Sequence, residues 1–423
     1  MLIADHPPMP THVLPAAAEL DAAKPLATGR PLDIAALRAA TPGCATSIHF
    51  NHAGASLMSA ATLAAVTEQL RREALYGPHE ASVAVQGRLD QARADAARLL
   101  NAAPAEIAFT SSGSAGWGLA FAALPPLRAG DRILVGRQEW GGNLATMQRA
   151  AARSGARIEV IPCREDGSVD PDALAGMIDE RVRLVALTWL PANGGLINDA
   201  AAVGRVTRAA GIPYFVDAGQ ALGQLPADVE AIGCDVLKGA GRKHLRGPRG
   251  TAILYVRASF RERLDTVFSD VLSAPWTGQG PAPRGDARIF ETSEQPVALL
   301  LGLGVALHEA LALGISAIRE QIDQTANRLR AELAAIDGVA IHDLGQHRSG
   351  LVSFTIGDLD VNAAKNRLAS VGISVGANGP AYTPFDMEAR GLAGIVRASV
   401  SYLTSEQDIE RLLAAVHDIA RTR

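Results

Sequence analysis

Chemistry that needs a primary amine has few places to occur in this chain. Of its 40 basic residues only Lys24, Lys238, Lys243 and Lys365 are lysine. The rest are arginine, which stays protonated and is a poor imine-forming nucleophile. Lys24 lies in a Pro-rich leader and Lys365 on a short helical stretch near the C-terminus. Lys238 and Lys243 fall in D-V-L-K-G-A-G-R-K-H-L-R-G-P-R-G (235–250), a glycine-rich loop between two strand-like runs. Alone, a lysine there reads most simply as solvated. Upstream, however, Tyr214-Phe215-Val216 reads as a buried strand that ends at Asp217, in V-D-A-G-Q-A-L-G-Q-L-P. The C-terminal end of an internal strand is where α/β enzymes place their ligands; by itself, Asp217 would read as a helix N-cap. A lysine that forms an imine and a carboxylate that keeps a pyridine nitrogen protonated are together what pyridoxal 5'-phosphate requires. Lys243 and Asp217 are the expected catalytic pair.

The elements that must position this pair alternate along the chain. Helical patterns cover 60–75, 82–100, 142–154, 171–180, 199–211 and 296–312. Strand-like runs lie at Ile107–Thr110, Arg132–Val135, Arg157–Ile161, Leu184–Leu187, Pro213–Val216, Asp235–Leu237 and Ala252–Val256. That alternation predicts an α/β, doubly wound, mostly parallel sheet. After about 315 the texture changes to a helix (317–335), strands near Val339–His342, Leu351–Ile356, Ile373–Val375 and Val396–Ser401, and a last helix from Ser405. The expected division is an N-terminal extension (1–45, with a short helix at 33–40), a large domain (46–315) and a smaller C-terminal α/β domain (316–423).

The string V-D-A-x-Q-x-x-G-x-x-P-x-D, followed by G-x-K and G-P-R-G, resembles the class V aminotransferase family of pyridoxal-phosphate enzymes. The resemblance runs from about Asn51 to the C-terminus and implies the type I transferase fold. It also implies roles. Ser112, Gly113 and Ser114, in F-T-S-S-G-S-A-G-W-G (109–118), would cradle the phosphate at a helix N-terminus. Arg242 would clamp it further, while Ala240 lacks the usual hydroxyl. Trp140, in R-Q-E-W-G-G-N-L, would stack on the cationic ring. Gln220 would meet the ring hydroxyl, and Asn193, beside Ala192, would add a contact. Arg397, in I-V-R-A-S-V-S-Y, would pair with the carboxylate of an amino-acid substrate, with Asn51 and His52 on the same side. Thr292 or Ser293 would reach the neighbouring site of a homodimer with shared active sites.

Cysteine desulfurases of that family need a persulfide-forming cysteine ahead of the arginine strand. Residues 374–388 contain none, and Cys44, Cys163 and Cys234 match no such position. E-W-G-G-N-L, R-K-H-L-R-G-P-R-G, T-S-S-G-S and T-P-F-D-M are closest in texture to the family's hercynylcysteine sulfoxide lyases. The resemblance therefore implies a carbon–sulfur β-lyase acting on a cysteine-derived sulfoxide. An epimerase or aminotransferase, sharing every coenzyme contact, is the alternative. A non-catalytic scaffold is disfavoured by the joint presence of Lys243, Asp217 and Arg397.

Composition narrows the partners. A chain of 423 residues, 48% hydrophobic and 20% charged, has ample core for more than one lobe. A net charge of −4 gives no reason to expect nucleic acid or an anionic membrane. Three widely spaced cysteines predict a reducing, cytoplasmic setting and no metal site. No secretory signal pattern opens the sequence, and the apolar run Val297 to Leu307 is too short to span a bilayer.

Overall fold

The structure, a computed structural model, describes residues 32–422. Most of the expected extension, residues 1–31, lies outside the described residues; the short helix expected at 33–40 forms as Ile34–Ala39, capped by the Asp33 carboxylate. The first strand, β1 (Ile48–Phe50), joins the smaller of two main sheets. The larger sheet contains β2 (Ile107–Thr110), β3 (Arg132–Gly136), β4 (Arg157–Ile161), β5 (Val182–Thr188), β6 (Tyr214–Asp217), β7 (Val236–Lys238) and β8 (Ala252–Val256), in the order 2-8-7-6-5-3-4. Pairings from β7 through β6, β5 and β3 to β4 are parallel, and β8 runs antiparallel to both neighbours. β5 to β8 are buried almost throughout. Strands covered on both faces carry continuous apolar runs rather than alternation, which is why these segments stand out in the sequence. Each fully buried large side chain contributes roughly 1.5–3 kcal/mol.

A hairpin, β9 (Trp276–Thr277) with β10 (Gly280–Pro281), projects from the irregular stretch that follows. The helix Val297–Leu313 is apolar on nearly every side because it packs against the helices Ala60–Tyr76 and Gln86–Leu100. At Gly314, φ +82°, the chain turns by 80° into the helix Ile315–Ala334. The smaller sheet then forms from β11 (Val339–Ile341), β12 (Leu351–Ile356), β13 (Ile373–Asn378) and β14 (Ile395–Ser399), in the order 1-13-14-12-11.

Two differences from expectation bear on the site. A division at residue 46 would put β1 in the larger unit, yet Ile48–Phe50 pairs in parallel with Ile373–Val375. Its Ile48 and Phe50 enter the core of the C-terminal unit beside Val375 and Val396. The helix expected over 82–100 is two, Pro78–Val83 and Gln86–Leu100, broken around Val85, which turns into the core. Among the described residues no single helix is long and apolar enough to cross a membrane. No group of three or more His, Cys, Asp and Glu there could hold a metal ion.

Candidate active site

The C-terminal ends of β5, β6 and β7 bring Thr188, Asp217 and Lys238 side by side: Thr188 pairs with Asp217, and Asp217 with Lys238. They form the floor of a cavity of about 550 Å³ between the two units. Asp217 is buried and well satisfied. Its Oδ1 accepts from the Gly219 backbone at 2.8 Å. Its Oδ2 accepts from Asn143 at 2.9 Å and lies 2.7 Å from Lys238 Nζ. Burial alone would raise this carboxyl, but Lys238 and Lys243 outweigh it and hold it below the ordinary range.

Lys243 follows the turn after β7 and lines the same cavity. Burial pushes its ammonium down to about 7, helped by Lys238, Arg242 and Arg397 against the pull of Asp217. Near neutral pH a large fraction is therefore the free amine that imine formation and proton abstraction need. Lys238 Nζ is instead held against the Asp217 carboxylate. The loop is seated by Gly223, φ +89°, where a methyl group would come within 2.5 Å of the His244 carbonyl carbon. Trp140 approaches from the opposite side, with Lys243 Nζ 6.0 Å from its ring centroid and Tyr382 at 5.5 Å between centroids. Its backbone N–H donates to Thr188 Oγ1 at 2.9 Å, which anchors the indole loop to the end of β5.

The turn after β2 leads into the helix Gly113–Ala122. Ser112 caps it by accepting from Ala115 N at 3.1 Å. Ser111, Ser112, Gly113 and Ser114 all line the cavity, so the positive end of this helix opens onto it. Arg242 lines it too, but one guanidinium nitrogen donates to the Gly54 carbonyl at 2.6 Å, tying the lysine loop to the segment after β1. Gln220 donates to the Ala53 carbonyl at 3.0 Å and leaves its buried Oε1 without a partner.

On the other wall, β14 carries Arg397, 5% exposed. It donates to the Ala192 carbonyl at 2.8 Å and to Asn51 Oδ1 at 3.3 Å, while its buried Nε has no partner. Among the described residues no carboxylate pairs with it. Burial lowers it to about 10. A buried guanidinium without an anion is a standing demand for one.

Two expected contacts do not reach the cavity. His52 is 2% exposed and is held by Ser56 at 3.1 Å, its ring against His49. His49, between the two inward residues of β1, lines the cavity instead. Asn193 donates to the Gly379 carbonyl and accepts from Asn378, so that Ala192 is the residue that meets the cavity. In the sequence Lys238 stood only as the second lysine of its loop, and Glu139 and Asn143 only as part of a motif; none of the three had a role assigned. Asn143 donates to Glu139 Oε1 at 2.8 Å as well as to Asp217, and burial and Asp217 together raise Glu139 to about 7. The signal was present in E-W-G-G-N, where the amide follows the acid by four positions across a helix start.

An imine-forming lysine, a carboxylate at a strand end, a flat aromatic wall, a helix N-terminus for a phosphate and an unpaired arginine fit pyridoxal phosphate and an amino acid together. The unpartnered Gln220 Oε1 and Arg397 Nε are the polar atoms such ligands would satisfy. The fold and site define a pyridoxal-phosphate-dependent enzyme. The family model for Aminotransferase class-V matches residues 48–412, and the chain belongs to that family. A cysteine desulfurase of Klebsiella pneumoniae is 30% identical, over 81% of this chain and 85% of its own. A probable cysteine desulfurase of Methanothermobacter thermautotrophicus is 29% identical, over 79% of this chain and 84% of its own. Among solved structures, the cysteine desulfurase of Thermococcus onnurineus shares the fold, with a TM-score of 0.84 at 23% identity over 94% of this chain and all of its own. A cystine C–S lyase, C-DES, in complex with its product cysteine persulfide, gives 0.81 at 25% identity over 89% and 99%. A variant of C-DES carries glycine covalently linked to the cofactor. The protein is thus a pyridoxal-phosphate-dependent enzyme acting on an amino acid.

Proposed function

We propose that this enzyme is a β-lyase that cleaves the carbon–sulfur bond of a cysteine-derived sulfoxide, with hercynylcysteine sulfoxide as the leading substrate. The observation that carries this reading is a cavity furnished with Lys243, Asp217 and Arg397 in which none of the three cysteines takes part. Cys163 is half-buried beside Gln138, and Cys44 and Cys234 lie elsewhere. Burial raises all three thiols, Cys234 furthest, so none is a ready thiolate.

In this reading Lys243 would hold the coenzyme through its side-chain amine, Asp217 its ring nitrogen, Trp140 its face and Gln220 its hydroxyl. Ser112, Gly113, Ser114 and Arg242 hold its phosphate. When bound, the coenzyme supplies an electron sink conjugated to the substrate Cα. Arg397, steadied by Asn51, binds the substrate carboxylate and turns the Cα–H bond toward Lys243. Lys243, freed when the substrate's amino group takes its place, accepts that proton as the base. The electron pair of the Cα–H bond becomes a Cα–Cβ double bond, the Cβ–S pair leaves as a sulfenate, and the released enamine hydrolyses to pyruvate and ammonia. No step uses a protein thiol.

A cytoplasmic homodimer with shared sites completes the proposal. Val267, Phe268, Val271 and Trp276 are exposed ahead of Thr292 and Ser293, and Ser293 is fixed there by Asp270 at 2.6 Å. The purified enzyme should be incubated in parallel with cysteine-conjugate sulfoxides, with alanine and α-keto acids, and with single enantiomers. Equal pyruvate and ammonia from a sulfoxide, needing no keto acid and surviving replacement of all three cysteines by serine, is the expected result. Keto-acid-dependent amino transfer without pyruvate would point to an aminotransferase, and racemisation without elimination to an epimerase. Light scattering would give the oligomeric state.

A further inference from the structure

Lys238 has no part in the scheme above, yet it lies at its centre. The parallel register of β6 and β7 sets it opposite Asp217. The side chains are 7% and 6% exposed, with Nζ 2.7 Å from Oδ2. Gly113 makes room for it: a methyl group there would lie 3.0 Å from Lys238 Cδ and 3.4 Å from Nζ.

A carboxylate holds a ring proton through its negative charge, and an ammonium in contact cancels much of that charge where water cannot screen it. The other charged groups around the pair are Glu139, reached through Asn143 ahead of the helix that follows β3, Lys243 and Arg242 on the loop after β7, and Arg397 on β14. Of the basic groups around the pair, Lys238 is the one in direct contact with Asp217. We propose that Lys238 is a positioning residue that shares the Asp217 carboxylate with the coenzyme's ring nitrogen, weakening the hold of that carboxylate on the ring proton. The ring then loses its proton at lower pH than with Asp217 acting alone, and the strength of the electron sink is set by a pair of residues.

This inference rests on the pyridoxal-phosphate reading of the site, and the test keeps the two apart. The holoenzyme is loaded with nitrogen-labelled coenzyme, and the ring-nitrogen resonance is followed with pH. In Lys238→Met and Lys238→Gln the ring should keep its proton to a pH higher by about one unit. Lys238→Arg should behave as the wild type. An unchanged midpoint in both neutral variants would overturn the proposal. So would a wild-type ring that stays protonated to the alkaline limit of the fold. Lys238→Gln preserves a hydrogen bond to Asp217, so the test survives if Lys238→Met folds poorly. A lower melting temperature with no change in the midpoint would mark Lys238 as a purely structural ion pair. Absence of near-visible absorbance from the wild-type protein would instead remove the coenzyme reading.

Discussion

Arg397 Nη2 lies 3.3 Å from Asn51 Oδ1, linking the last strand of the C-terminal sheet to the residue that follows its first strand. Arg397, the proposed substrate anchor, is therefore held by both ends of the described chain, and Asn51 fixes the guanidinium without supplying a charge. Arg397→Lys should raise KM for the amino-acid substrate by about one to two decades, the worth of ~1.5–3 kcal/mol for a charged hydrogen-bonded pair. Coenzyme absorbance should stay intact. Steady-state kinetics alongside a spectrum make the check, and an unchanged KM would reject the anchoring role.

Lys243 and Lys238 can be separated by spectrum. Lys243→Ala should abolish the near-visible absorbance of the imine and the activity with it. Lys238→Ala should keep the absorbance, because that ammonium is committed to Asp217. The opposite pattern would move the imine to Lys238.

Trp140 forms one wall of the cavity, opposite Lys243. Removing an aromatic stacking partner typically costs ~1–3 kcal/mol. Trp140→Ala should thus weaken coenzyme binding roughly 10-fold or more, with Trp140→Phe close to wild type. Fluorescence titration of the coenzyme-free chain measures this, and equal affinity in the alanine variant would place the ring elsewhere.

Glu139 and Lys243, both close to Asp217, should leave opposite marks on stability. Glu139 is raised from 4.5 to about 7, chiefly by burial. The unfolded chain gives up that proton first, so Glu139 erodes stability as pH climbs through this window. Lys243 is lowered from 10.5 to about 7. Between those values the unfolded chain binds the extra proton, so stability rises with pH. Melting of the coenzyme-free chain should show the acid-side loss flattened in Glu139→Gln and the alkaline-side gain flattened in Lys243→Met. Slopes identical to wild type in both would contradict the shifts.

The larger sheet was readable because buried parallel strands are short apolar runs between glycine and proline punctuation. Leu184–Leu187 and Pro213–Val216, two such runs, fall on the parallel β5 and β6, and the antiparallel β2 and β8 and the edge strand β4 also form as expected. Asp217 and Ser112 stood out in the sequence because one ends a strand and the other opens a helix, and both line the cavity. What escaped depends on pairing between distant segments. Nothing local shows that Lys238 faces Asp217, since that follows from the register of β6 on β7. Nor does the string I-H-F-N-H reveal which histidine faces the cavity, since the answer lies in how β1 pairs with β13. The resemblance set Asn193 one residue off for a similar reason: its amide is taken by Asn378 and Gly379, contacts made across the two units.

The pairing of β1 with β13 also has a consequence for biosynthesis. Ile48 leaves the ribosome long before its partner Ile373 is made. Until then the entry segment that supplies Asn51 and the Gly54 carbonyl has no strand to dock on, and Arg397 does not yet exist. The strands that form the floor of the cavity are thus all made before β13 and β14, and the wall that carries Arg397 can be assembled only after them.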